Sequence, residues 1–565
     1  MTIADGSAGG AGAPRSSLAR SSTVMAIGTV ASRGTGFVRT VVLAAALGSG
    51  ALAETYNIPN TIPNAIYDLL LGGILTSVVV PLLVTAVRDD AQAGELYAQR
   101  LLTVVAVVLG VCTVVGVLAA PLIIDVYAQG LTGQQRSLSV TFARYFLPQV
   151  FFYGLSATIG AILNTRGRFA APMWAPVLNN LVLIGTGLFF ISVTEAVPVA
   201  KLTNLQVTLT SGEIRLIGIG TTAGVVLQTL ALWPSLRASG FRWRPRFDWR
   251  GNGLGEAVTL GGWVLAYVAM NQLGFVIVTN LGKAAGRAAL AHRIGHTDTF
   301  SAYTYAYQLF QLPYAIVAVS IITALLPRMS AHAAQGRFDD VRADLSTGLR
   351  TSGVAVVPAT VMLIALAPEI TTVIFRCLPH TRVSAADARY IGWVLVAFSI
   401  GLVPFAMYQL LLRAFYALHD TRTPALINVV ATLVNIGADV GLYIALPPGS
   451  RVVGLALGFA ASYWVAFVLT VRALGRRLDG IDGQRVTQTY VRVTLASAVA
   501  GGAAFGLAEL TGVLLGRGVT GSVVALVAGG GIGLGILATA ASRMRISEAT
   551  RILDAVRARL AGSSH

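Results

Sequence analysis

The sequence predicts an all-α polytopic membrane protein with about 14 transmembrane helices, and three observations carry that prediction. Apolar runs long enough to cross a bilayer recur from residue 24 to residue 542. Hydrophobic residues make up 55% of the 565-residue chain and charged ones 12%, where a soluble chain carries about a quarter. The runs are continuous and not alternating, which excludes a transmembrane β-barrel.

The candidate spans are 24–48, 55–87, 100–125, 139–165, 171–193, 215–236, 255–282, 300–327, 350–377, 388–418, 424–446, 452–474, 488–513 and 518–542. Ahead of them, residues 1–23 are rich in Gly, Ala and Ser, lack a secretory cleavage pattern and read as a disordered cytoplasmic tail. The second span is too long for one straight crossing. It contains "IPNTIPN", whose Pro59 and Pro63 predict a break or re-entrant turn before the helix resumes. A basic cytoplasmic loop, 237–254, follows the sixth span, and its "RASGFRWRPRFDWR" holds five arginines. It separates a first lobe (24–236) from a second (255–475), each of six helices. The last two spans (488–542) form a C-terminal pair. Residues 543–565 form a cytoplasmic tail, in which "RISEATRILDAVRARL" reads as a basic amphipathic helix on the inner leaflet.

With both termini cytoplasmic, most Lys and Arg fall on the cytoplasmic side, so the formal net charge of +17 reads as a topology signal and not as nucleic-acid binding. Cys112 and Cys377 suggest neither a disulfide framework nor a metal site. His292 and His296 stand at i, i+4 without an acid-rich motif, and "AGGGIGLG" has no strand before it to make a nucleotide fingerprint. No GxxxxGK[ST] and no nucleophile–base set is visible, so an enzyme is not the expectation.

The two lobes echo one another. "ILNTRGRFAAPMWAPVLNNLVLI" at spans four to five and "YALHDTRTPALINVVATLVNI" at spans ten to eleven both read helix, short basic turn, proline, helix with asparagine. "IPNAI" in span two pairs likewise with "LPYAI" in span eight. Because each lobe has an even number of helices, both enter the membrane in the same orientation. This predicts a pseudo-two-fold axis along the membrane normal, with a cleft between lobes that opens alternately to each side.

Two charges lie deep in the first span, in "ASRGTGFVRT". A charged residue near the bilayer centre costs about 2.5–3.5 kcal/mol on insertion scales. Arg33 can snorkel to the cytoplasmic side, but Arg39 is too deep for easy escape. Six residues of helix leave them about 120° apart in azimuth and ~9 Å apart along the axis, so they line a cavity at two depths and do not form one clamp. An arginine fork suits phosphate and keeps its charge, which makes an anion site the functional reading. The alternative is a structural pair, Arg39 with Glu54 or Asp68. In span eleven, Asn435 and Asp439 stand at i, i+4 on one face. With Asn271 of span seven they form a candidate Na⁺ or H⁺ coupling site, or else a neutral hydrogen-bonded helix contact.

"ASRGTGFVRTVVLAAALGSGALAETYNIPNTIPNAIYDLLLGGILTSVVVPLL" resembles the N-terminal signature of the MurJ/MviN family. "YAYQLFQLPYAIVAVSIITALLPRMSAHAA" resembles its eighth span and "LLRAFYALHDTRTPALINVV" its tenth-to-eleventh turn. The likeness runs colinearly over residues 24–480. It implies a fourteen-helix flippase of the superfamily that includes MATE and polysaccharide exporters. The implied cargo is lipid II, the undecaprenyl-pyrophosphate-linked peptidoglycan precursor, moved from the inner to the outer leaflet of the bacterial cytoplasmic membrane. Expected partners are lipid II or a related polyprenyl-pyrophosphate lipid, the membrane and cell-wall synthesis proteins, with no nucleic acid. The resemblance implies substrate-binding roles for Arg33, Arg39, Ser32, Glu54, Asn64 and Ser301. It also marks departures. Tyr67 and Gln308 stand where many members carry arginine, and Gln311 where the neighbouring residue is acidic. Gln308 and Gln311 are retained as candidate polar donors. Competing readings are a MATE-like exporter, an exporter of another lipid-linked oligosaccharide, or a non-transporting cell-wall scaffold.

Overall fold

The computed structural model describes residues 15–68, 91–131, 133–194, 209–247, 254–418 and 420–543, and no β-strand occurs among them. The predicted second half of span two, the end of the basic loop (248–253) and the C-terminal amphipathic helix lie outside the described residues. The first lobe comprises α1 (Arg15–Leu47), α2 (Ala51–Asp68), α3 (Ala91–Leu118), α4 (Ala120–Tyr127), α5 (Gly133–Phe146), α6 (Gln149–Thr165), α7 (Ala170–Val193) and α8 (Ser211–Ala238). The second comprises α9 (Leu254–Ala291), α10 (Phe300–Pro313), α11 (Val319–Ala334), α12 (Phe338–Arg376), α13 (Ala385–Ser399), α14 (Leu402–Ala417), α15 (Arg422–Ala445) and α16 (Arg451–Arg477). The C-terminal pair, α17 (Gly483–Leu515) and α18 (Val519–Arg543), packs on α12.

Ten described stretches are long and apolar enough to cross a membrane, and an eleventh arises if α13 and α14, bent by 48°, count as one span. The fourteen expected from hydropathy therefore exceed what the described helices establish. One difference has a clear cause: span eight is interrupted by a π-helical turn, Tyr314–Ala318, directly after Pro313. A proline removes a backbone donor, and a π turn is a common accommodation, often near functional sites. The predicted break at "IPNTIPN" is not there. Helix α2 runs through Pro59 and Pro63. Side chains tie its turns together: Thr61 Oγ1 donates to the Asn57 carbonyl at 2.7 Å and Asn64 Nδ2 to that of Asn60 at 3.0 Å.

The internal repeat is visible in the packing. Helix α7 lies against α1 and α8, and its counterpart α15 lies against α9 and α16. Spans four and ten each divide into two helices, α5–α6 and α13–α14. In both lobes a glycine admits a polar side chain of its neighbour. A Cβ on Gly224 of α8 would meet Asn179 Oδ1 of α7 at 2.4 Å, and one on Gly458 of α16 would meet Asp439 Oδ1 of α15 at 2.0 Å. Small residues let membrane helices approach closely where apolar burial gives no net drive for association.

An aromatic core fills the second lobe. Phe398 of α13 lies 5.5 Å from Phe310 of α10 and 5.2 Å from Phe459 of α16, ring centre to ring centre. These contacts anchor α10, whose outer face meets the first lobe. The basic loop docks on α3: Gln99 Nε2 donates to the Arg242 carbonyl at 3.1 Å, and Arg246 Nε to Gln99 Oε1 at 3.1 Å.

Candidate transport cavity

A cavity of about 540 Å³ lies between the lobes. Helix α2 contributes Asn57, Asn60, Thr61 and Asn64, which recur at helical spacing and so share one face. Arg39 enters from α1. The second lobe supplies Asn271 from α9, Gln308 and Gln311 from α10, and Asn428 and Asn435 from α15. Among the described residues lining this space, Arg39 is the sole charged side chain. It is half-buried, and no described carboxylate lies within ion-pair distance of it. Phe275, Val278 and Phe459 also line the space; its polar part, amides and hydroxyls with one cation and no acid among the described lining residues, favours an anion.

The predicted residues divide into three groups. Arg39, Asn64, Gln308, Gln311, Asn271 and Asn435 converge on the cavity. Gln308, one of the departures from the family pattern, accepts a hydrogen bond from Thr40 Oγ1 and so bridges α10 to α1. Asn271 Oδ1 accepts from Asn428 Nδ2 at 3.3 Å. Asn435 Nδ2 donates to Asp439 Oδ2 at 2.9 Å, and Asp439 is fully buried behind the cavity wall, with Oδ1 lacking a hydrogen-bond partner. The structure thus keeps the Asn435–Asp439 pair together and joins Asn271 to Asn428 instead.

The second group, Glu54 and Ser301, sits at the end of the cavity where α1 gives way to α2. Glu54 Oε1 accepts from the Phe300 amide at 3.0 Å, and Ser301 Oγ accepts from Asn57 Nδ2 at 3.1 Å. Sequence reading passed over the contacts that surround them, which cross from lobe to lobe. Thr297 Oγ1 donates to Asp387 Oδ1 at 2.8 Å and lies 2.9 Å from Ser49 Oγ, whose hydroxyl can donate to it; Thr299 Oγ1 donates to the Ser49 carbonyl at 2.6 Å, and Tyr305 OH to the Gly48 carbonyl at 2.9 Å. The Arg382 amide donates to the Ala45 carbonyl at 3.0 Å, and the buried Lys283 ammonium to the Gln129 carbonyl at 3.0 Å. Asp298 fixes the segment that makes this latch. Its fully buried carboxylate accepts from the amides of Gly449 (3.1 Å), Arg451 (3.2 Å) and Val452 (3.0 Å), and from the Tyr390 hydroxyl. A carboxylate is well placed at a helix N-terminus, here that of α16, because the unpaired amides and the dipole both favour negative charge.

The third group, Ser32 and Arg33, lies towards the other end. The Ser32 carbonyl accepts from Asn180 Nδ2 at 3.0 Å, which ties α1 to α7. Arg33 is exposed and is not among the residues that line the cavity. Tyr67 lies outside the described side chains.

Two lobes of membrane-spanning helices around a polar, cationic cavity define a multi-pass transporter of the two-lobed type. The chain belongs to the lipid II flippase MurJ family, whose model matches residues 43–529. Its relatives include a probable lipid II flippase MurJ of Vibrio cholerae, 27% identical over 92% of this chain and 94% of that one. One from Haemophilus influenzae is 26% identical over 84% and 90%. The fold is similar to that of a lipid II flippase MurJ solved in an inward closed conformation, with a TM-score of 0.72, 18% identity and coverage of 92% and 99%. It also resembles an inward-facing multidrug resistance MATE transporter of the MOP superfamily, with a TM-score of 0.60, 14% identity and coverage of 80% and 96%.

Proposed function

We propose that this protein moves lipid II from the inner to the outer leaflet by alternating access. The observation that carries the reading is the shared cavity, in which both lobes supply amides around Arg39 and no acid opposes it. The diphosphate headgroup needs a hydrated, positive space to cross a hydrocarbon core ~30 Å thick, while its lipid tail stays in the bilayer. We place both termini in the cytoplasm, following the arginine distribution. Gly48 and Ser49 then face outward, the latch is an outer gate, and the structure represents a form closed to the outside. Release outside requires that the latch separate and that the grip of Arg39 weaken.

We assign coupling to the membrane potential or a cation gradient, with Asn435 and Asp439 as the Na⁺ or H⁺ candidate. A cation moving inward gains about 2.3 kcal/mol per charge per 100 mV. The same potential draws the empty arginine cavity back toward the cytoplasm. Cell-wall synthesis proteins are the proposed protein partners, as receivers of the exported precursor.

The test is lipid II sidedness in cells depleted of this protein, read with an externally added lipid II probe. The reading expects outer-leaflet lipid II to fall, inner-leaflet lipid II to accumulate, and Arg39→Ala to leave the defect unrepaired. Unchanged sidedness on depletion would overturn it.

A further inference from the structure

One end of the first lobe carries arginines that nothing acidic opposes. Arg166 and Arg168 lie in the turn between α6 and α7, Arg237 lies in the last turn of α8, and Arg242, Arg244 and Arg246 follow in the segment that docks on α3. All six are exposed or half-buried, and none has a described carboxylate within ion-pair distance. Neither 160–174 nor 231–247 contains an Asp or Glu. The second lobe treats the same end differently. There Arg328 pairs with Asp344 at 3.0 Å, Arg337 with Asp340 at 3.2 Å, and Arg477 with Asp420. Both ends face the cytoplasm in the orientation proposed above, so the topology signal alone does not account for the contrast.

The first-lobe arginines are held as a group. Arg166 Nη1 donates to the Ser239 carbonyl at 2.9 Å and Arg168 Nη2 to the Ala238 carbonyl at 3.0 Å, at the C-terminus of α8, where the unpaired carbonyls favour positive charge. The Arg166 guanidinium also lies 5.2 Å from the centre of the Phe241 ring. A guanidinium has five N–H donors, so both keep most of theirs for a ligand. The side chains of Arg242 and Arg244 make no hydrogen bond among the described residues. Aromatic side chains set the level of the group. Trp243 meets Trp233 edge to face, with ring centres 6.0 Å apart, and Trp174 and Phe247 are exposed. Tryptophan at the end of a span marks the headgroup layer of a bilayer, so these arginines lie level with lipid phosphates.

We propose that this rim is a docking surface for the anionic phospholipids of the inner leaflet. Their phosphates seat between the arginines of the α6–α7 turn and those that follow α8. The planar arginine fork offers paired donors to phosphate oxygens. The second lobe, whose turns carry their own carboxylates, is the weaker lipid surface. The first lobe is therefore the one moored to the inner leaflet while the two move against each other. The inference needs only the proposed orientation of the chain and stands apart from the identity of the cargo.

The experiment uses the full chain in a neutral detergent and phospholipids with brominated acyl chains, which quench tryptophan on contact. Trp233 and Trp243 report from within the rim. Brominated phosphatidylglycerol is expected to quench at about a tenfold lower lipid fraction than brominated phosphatidylcholine. Arg242→Gln combined with Arg244→Gln should cut that preference to about twofold. With no described partner at either side chain, the fold should survive, and an unchanged thermal midpoint checks this. Arg242→Lys combined with Arg244→Lys keeps the charge and the topology signal, and should retain more of the preference than the glutamine pair. Arg472→Gln combined with Arg476→Gln, exposed at the same end of the second lobe, should leave it unaltered. Equal quenching by the two lipids in the wild-type chain overturns the proposal. So does a loss from the second-lobe pair as large as that from the first-lobe pair. Equal affinity for inorganic diphosphate, read by its displacement of the lipid, would assign the rim to a free anion and overturns it too.

Discussion

At the outer end of the cavity, Ser49 holds Thr297 and Thr299 across the lobe boundary and Gly48 holds Tyr305. At the other end, Arg33 is exposed on α1 and has no described carboxylate within ion-pair distance. The first arrangement is satisfied within the protein, and the second keeps an unneutralised charge. With both termini in the cytoplasm, as proposed, the hydrogen-bonded end is the outer one and the end that carries Arg33 the inner one. A net hydrogen bond contributes only about 0.5–1.5 kcal/mol, so a latch of a few such bonds can be opened by the rearrangement that cargo or a coupling ion brings.

Removing the central charge should break this contrast most severely. Arg39→Ala is expected to lower lipid II flipping about a hundredfold, equivalent to ~3 kcal/mol of charge-assisted bonding. Reconstituted flipping within threefold of wild type would show that the cavity does not grip its cargo through Arg39.

The next effect belongs to the outer end. Asp298→Ala strips the α16 amides and Tyr390 of their shared acceptor, and should cost about 3 kcal/mol, read as a lowered thermal midpoint in detergent. An unchanged midpoint would mean that the latch segment does not depend on this carboxylate.

Gly458→Ala pushes a methyl group into Asp439 and should destabilise by about 1–3 kcal/mol. It should also change any Na⁺ or pH dependence of flipping. Lost stability with unaltered ion dependence would assign Asp439 to helix packing alone.

The smallest change sharpens the comparison without breaking the fold. Ser49→Ala removes the hydroxyl that bonds Thr297 Oγ1 across the lobe boundary and leaves the Thr297–Asp387 bond and the carbonyl that Thr299 uses, so it should shift the inward–outward equilibrium by about 1 kcal/mol, roughly fivefold. Labelling of an Asn60→Cys reporter by a membrane-impermeant maleimide from outside would measure it, after the exposed Cys112 and Cys377 are replaced. An unaltered labelling rate would remove this hydrogen bond from the gate.

Much of the site was legible before any coordinates. Arg39 stood out because charge in an apolar run is costly, and it does line the cavity. Asn57, Asn60 and Thr61 were overlooked although their spacing with Asn64 puts them on one helix face, because the two prolines drew attention to a break that α2 does not make. Glu54 and Ser301, which the resemblance implies as substrate-binding residues, make hydrogen bonds between the lobes at the latch, and no periodicity in the sequence signals those contacts.

By itself the sequence determined the membrane class, the repeated turn before α7 and α15, and the place of Arg39 deep in an apolar span. These follow from local quantities: transfer cost per residue, helical rise and the position of a proline. Only the tertiary structure decided which end of the cavity is shut, and that Asn271 meets Asn428 while Asp439 is buried against Gly458. Such pairings depend on how helices far apart in sequence cross and rotate, and hydropathy carries no information on which face of one helix will meet which face of another.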